Sequence, residues 1–140
     1  MVNGTLIKDT MVKLSAAKRS ALESLERLNK TLDWLDSEPQ AADRWGRFDA
    51  VGKRFEVSFE YVWKALKAAL EYQGEEVFGP KDSITLAGTY QWLEDLEDWA
   101  EFLEARNAGV HDYFSLTPEE YVNIARRFLK SARIVLNRLP

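Results

Sequence analysis

Cysteine is absent from this chain of 140 residues, and histidine occurs once. A disulfide framework and a thiolate zinc site are thereby excluded, and one imidazole cannot build a histidine-rich metal centre. Long apolar runs are also missing. The longest uncharged stretch, Ser83 to Leu93, is too short and too polar to span a bilayer. The opening MVNGTLIKDT carries no basic start followed by an apolar run, so no secretory signal is expected. These features suit a reducing compartment, and a cytoplasmic protein without a membrane partner is expected.

Signatures of familiar chemistry are equally scarce. The stretch GEEVFGPK superficially resembles a phosphate loop, but Pro80 stands between its second glycine and Lys81, and no strand pattern precedes it. Neither the Gly-Ser and DxD signature of a nucleotidyltransferase nor a serine hydrolase elbow occurs. No metal site and no cofactor are expected. The net charge of −4 gives no overall field favouring nucleic acid, so DNA is not an expected partner and any RNA contact needs a local patch.

What is present is helical. Apolar residues make up 46% and charged residues 30%, the composition of an ordinary globular domain. From Leu14 to Leu35, the positions Ala21, Leu25, Leu28, Leu32 and Leu35 step by four and three, which predicts a first helix ending near Ser37, before Pro39. The segment DSEPQAADRWGRF reads as a turn or linker carrying Trp45. A second helix is expected from about Asp49 to Gln73, with Phe55, Phe59, Val62, Leu66 and Leu70 inward and Glu60 and Lys64 forming an exposed pair. Pro80 opens a short third helix closed by Gly88. A fourth carries Trp92, Leu96, Trp99 and Leu103 and loosens at Gly109. Thr117-Pro118-Glu119-Glu120 is a capping box opening a fifth helix through Tyr121, Ile124, Phe128, Val135 and Leu139. No segment alternates with the period of a strand. The fold class expected is all-α, an up-and-down bundle of about five helices forming one domain over residues 1–140, with Phe55, Phe59, Leu96 and Trp99 in its core.

Charge is segregated along the chain. Residues 91–104 hold Glu94, Asp95, Glu97, Asp98, Glu101 and Glu104 without a base, whereas residues 121–140 hold Arg126, Arg127, Lys130, Arg133 and Arg138 without an acid. One reading is two solvated helix faces that attract each other. The other is a basic strip for RNA phosphate, formed by Arg126, Arg127, Lys130 and Arg133.

One polar constellation stands out: Arg106-Asn107-Ala108-Gly109-Val110-His111-Asp112-Tyr113, with the spacing R-x4-H-x-Y. Side chains five apart on an ideal helix point about 140° away from each other, so convergence of Arg106 and His111 requires a helix break, which Gly109 can supply. A guanidinium grips phosphate through two prongs. An imidazole titrating near neutrality can take a proton from a ribose 2′-hydroxyl and return one to the leaving oxygen. Such a pair suffices for metal-free RNA cleavage. Plainer roles are open as well: Arg106 pairing with Asp112 or Glu104, His111 as a surface residue, Asn107 as a helix-end residue, and Tyr113 as a buried aromatic.

With RNAGVHDY, the helix KRFEVSFEYVWKALK, its Trp63-Lys64 pair and the GPKDSI segment, the chain resembles the HEPN proteins, in particular the nucleotidyltransferase substrate-binding branch. The resemblance covers about residues 10–139. It implies a helical bundle that dimerises so that two R-x4-H motifs share a cleft, and a minimal nucleotidyltransferase as partner in a toxin–antitoxin pair. It further implies a metal-independent endoribonuclease in which Arg106 binds phosphate, His111 transfers protons and Asn107 orients the site. Tyr113 is then the target of an AMP added by the partner. The branch name implies an alternative, a non-catalytic subunit presenting substrate or nucleotide to the nucleotidyltransferase.

Overall fold

The computed structural model describes residues 4–109 and 116–140. Five helices account for most of them: α1 Gly4–Ser37, α2 Arg44–Tyr72, α3 Pro80–Thr89, α4 Leu96–Ala108 and α5 Pro118–Arg138. No strand occurs among the described residues, so the all-α expectation holds. α1 makes its most extensive contact with α2, α5 lies against both, and α3 and α4 pack on α2 and on each other.

The apolar periodicity accounts for the packing of the long helices. Leu14, Ala21, Leu25, Leu28, Leu32 and Leu35 of α1 are all buried, as are Phe55, Phe59, Val62, Leu66 and Leu70 of α2. Each fully buried leucine or phenylalanine contributes about 1.5–3 kcal/mol relative to exposure. Phe128 of α5 ties the helices together: its ring centroid lies 5.3 Å from Phe55, 5.7 Å from Phe59, 5.8 Å from Trp99 and 5.5 Å from Phe102. The contacts with Phe55, Trp99 and Phe102 are edge-to-face, the geometry that places a positive ring edge on a negative ring face.

α5 begins as its sequence predicts. Thr117 is the N-cap, its hydroxyl accepts from the Glu120 amide at 3.1 Å, and Pro118 occupies the first turn. α2 begins earlier than expected, at Arg44, so Trp45 and Gly46 are helical and the turn after α1 shrinks to residues 38–43. The cause is Arg47, only 6% exposed. It bonds Asp43 Oδ1 at 2.9 Å and the Trp34 carbonyl at 2.7 Å, with its guanidinium 4.6 Å from the centroid of the Trp34 ring. These ties outweigh the roughly 1 kcal/mol that a helical glycine costs against alanine. Trp45 is 67% exposed on the first turn of α2, its ring 6.0 Å from Phe48.

Three further expectations need correction. Trp92 precedes α4 instead of lying on it, because Asp95 caps the helix, and Trp92 is buried by stacking on Tyr90 at 4.9 Å. Leu96, expected in the core, is 49% exposed. Its side chain covers Gly88, which lies inside α3 and does not close it; a Cβ there would come within 2.8 Å of a Leu96 methyl. Glycine at position 88 therefore permits α3 and α4 to approach.

A candidate anion grip beside the α3–α4 trough

α4 is built to deliver a cation to its C-terminal end. The Asp95 carboxylate accepts from the amides of Glu97 at 2.9 Å and Asp98 at 3.2 Å, satisfying donors that the first turn leaves free. Three residues of α4 face the core: Trp99, Phe102 and Ala105. Arg106 sits in the last turn, where the helix dipole favours positive charge. The helix stops at Gly109, whose φ of +78° strains any residue with a Cβ and whose amide donates to the Ala105 carbonyl at 3.3 Å. The break required by the R-x4-H spacing thus falls inside the motif. His111 and Tyr113 lie outside the described residues.

Arg106 is held from two sides. Its Nη2 donates to Glu60 Oε2 of α2 at 2.7 Å and its Nη1 to Asn107 Oδ1 at 3.1 Å. Trp63 Nε1 donates to the same Glu60 oxygen at 3.0 Å, and Lys64 Nζ lies 3.6 Å from Oε1. Glu60, Trp63 and Lys64 are spaced three and four apart, so one face of α2 supplies the whole cradle. Burial is the largest influence on the Glu60 carboxyl and pushes its pKa up. The hydrogen bonds from Trp63 and Arg106 and the charges of Arg106 and Lys64 together outweigh it, leaving the pKa below the ordinary glutamate value. Glu60 is the residue that sequence reasoning missed. Its pairing with Lys64 was visible in the spacing, but a partner 46 positions away was not.

Asn107 also borders a trough between α3 and α4. Two contiguous hollows, of about 570 and 530 Å³, share Lys81, Thr85, Leu103 and Asn107. One extends past Phe78 and Pro80, the other past Ile84, Leu96 and Ala100. Arg106 lines neither hollow; its bond to Asn107 places the guanidinium beside the trough, where a partner with an anionic edge can reach it.

The family model described as nucleotidyltransferase substrate binding protein like matches residues 16–140. The chain belongs to this family. No curated protein matches the chain. In this chain the cations of α5 face carboxylates of neighbouring helices. Arg126 grips both oxygens of Asp36, at 2.8 and 2.6 Å. Arg127 bonds Asp98 and Glu101, Arg133 bonds Glu26, and Arg138 bonds Glu94. Arg127 and Arg138 thus meet the acidic 91–104 stretch, as expected of two faces that attract each other, whereas Arg126 and Arg133 meet carboxylates of α1. Lys130 is exposed. The chain has no group of three or more metal-ligating His, Cys, Asp or Glu side chains among its described residues, and none of its described helices is long and apolar enough to cross a membrane.

Proposed function

We propose that this chain is the substrate-binding subunit of a split nucleotidyltransferase, a non-catalytic protein that presents a nucleotide or acceptor to a minimal nucleotidyltransferase. One observation carries the reading: Glu60 and Asn107 fix the Arg106 guanidinium at the end of α4 while one-third of its side chain stays exposed, a held cation beside the trough. Glu60 holds the guanidinium in place and takes one of its N–H groups, and Asn107 takes another; among the described residues no other side chain bonds the rest, which can meet a phosphate. The family description, which names both a nucleotidyltransferase and a substrate, points the same way. Calorimetric titration of the chain with nucleoside triphosphate, alone and with a minimal nucleotidyltransferase from the same genome, tests it. Arg106→Ala should weaken nucleotide retention by the complex about tenfold, the loss of one charge-assisted contact. Unchanged retention would remove Arg106 from the role.

A second reading is favoured by the helix break at Gly109, which lies between Arg106 and His111. In it the chain is a dimeric, metal-independent endoribonuclease restrained by the nucleotidyltransferase. Arg106 then binds phosphate, His111 moves protons, Asn107 orients the site and Tyr113 accepts AMP. RNA in this reading lies along Arg126, Arg127, Lys130 and Arg133, and cleavage of RNA in the presence of chelator distinguishes it from the first.

A further inference from the structure

α4 carries two apolar faces. Trp99, Phe102 and Ala105 fill the core, whereas Leu96, Ala100, Leu103 and Asn107 recur at intervals of four, three and four along the floor of the trough. That second stripe has the spacing of a helix-packing seam, yet α3 meets it only along one edge, where Leu96 lies over Gly88; Ala100 and Asn107 stay exposed, and Phe78 beside it is 81% exposed. Two features favour a macromolecular occupant over a small molecule. The trough is open, with Thr85, Leu96 and Ala100 exposed along it, and an open bed cannot enclose most of a small ligand. The seam also extends over twelve residues, from Leu96 to Asn107, about 16 Å or three turns of helix.

Charge selects the occupant. Glu97 and Glu104 flank the seam seven residues apart on one side, and neither has an ionic partner among the described residues; Lys81 stands on the opposite rim, equally unpaired. The flank of the seam is acidic, so the same helix of a second copy laid antiparallel would bring Glu97 and Glu104 against their own counterparts. An approaching helix with lysine or arginine on one flank and an acid on the other meets all three charges. We infer that the α3–α4 trough receives an amphipathic, basic-flanked helix of the nucleotidyltransferase. The identity of the partner rests on the function proposed above; the surface and the chemistry of the helix rest on the trough.

The test measures affinity of the full chain for a minimal nucleotidyltransferase encoded in the same genome, by calorimetry over a range of salt. Ala100→Arg places a long cation in the middle of the seam at an exposed helical position flanked by Glu97 and Glu104, so it should keep the fold while weakening the complex about 30-fold or more. Glu97→Lys with Glu104→Lys should weaken it further at low salt than at high salt, since like charges then face each other. A wild-type complex that survives both variants unchanged would overturn the trough as the docking surface and leave the proposed function standing. Failure of wild type to form any complex would overturn both. If Ala100→Arg dissolves a dimer and leaves nucleotidyltransferase binding intact, a second copy occupies the trough and the inference is wrong.

Discussion

Glu60 and Arg106, 46 residues apart in sequence, meet at 2.7 Å and join the middle of α2 to the end of α4. Both side chains are about one-third exposed, at 34% and 33%, so solvent screens the bridge and its contribution is about 0–1 kcal/mol. The Glu60 pKa is lower folded than unfolded. Its stabilisation is therefore fully present above the ordinary value of 4.5 and is lost as pH falls through the lower folded value. Glu60→Gln should cost little at neutral pH and nothing at strongly acid pH, where wild type has already lost the contribution. Urea denaturation across that range checks the sign, and an equal loss at every pH would contradict it.

Arg47 should matter more to stability than any other surface-derived cation. Its guanidinium is buried while the carboxylates it meets, Asp43 and Glu38, are exposed, so truncation removes one of the donors to the Trp34 carbonyl, leaving it the Ser37 hydroxyl, and opens space over the Trp34 ring. Arg47→Ala should lower the unfolding free energy by about 2 kcal/mol. Arg47→Lys should recover only part of the loss, because an ammonium cannot span Asp43 and the Trp34 carbonyl while stacking on the ring. Thermal unfolding followed by circular dichroism distinguishes the two variants.

Phe128 is fully buried among Phe55, Phe59, Trp99 and Phe102, three of them edge-on. Phe128→Ala leaves a cavity where α2, α4 and α5 meet, and a loss of about 3–5 kcal/mol is expected. Against a typical total of about 5–15 kcal/mol, much of the chain should then be unfolded at mild denaturant concentrations. Phe128→Leu should be tolerated better, since it keeps most of the volume.

The parts of this fold legible in sequence are those that local pattern determines. The leucine stripe of α1 and the phenylalanines of α2 were readable because burial repeats with the helical period, and Thr117 because a cap acts within four residues. Leu96 was misplaced because periodicity marks a face as apolar without saying what covers it, and Asp95 reset the start of the helix. The start of α2 was hidden because Arg47 is anchored to Trp34, on another helix. At the site, Arg106, Asn107 and the break at Gly109 were visible in the motif. Glu60 was not, since only the folded chain brings α2 to the end of α4.

The cations of α5 yield a test of RNA binding in both directions. Arg127 is engaged by Asp98 and Glu101, and phosphate must compete with those carboxylates. If the strip contacts RNA, Asp98→Asn with Glu101→Gln should raise affinity for single-stranded RNA and steepen its salt dependence, whereas Arg127→Ala with Lys130→Ala should do the opposite. Electrophoretic mobility shifts at two salt concentrations measure both. Flat affinity in all four conditions would leave the strip as ionic ties from α5 to α1 and α4.

The choice between substrate presentation and RNA cleavage turns on His111. If the imidazole moves protons during attack of a 2′-hydroxyl, His111→Ala should lower the cleavage rate by about 10²–10⁴-fold with helical content unchanged. Arg106→Ala should fail likewise, because phosphate then lacks its grip. Chelator should leave the wild-type rate intact if the step needs no metal. Tyr113→Phe separates modification from chemistry: it should keep cleavage but remain active in the presence of the nucleotidyltransferase and ATP, whereas wild type should be silenced. A substrate-presenting subunit predicts a different pattern. Wild type then cleaves no RNA, His111→Ala and Tyr113→Phe leave nucleotide retention by the complex unchanged, and only Arg106→Ala weakens it. The two patterns share a sensitive Arg106, so cleavage by wild type and its dependence on His111 decide between them.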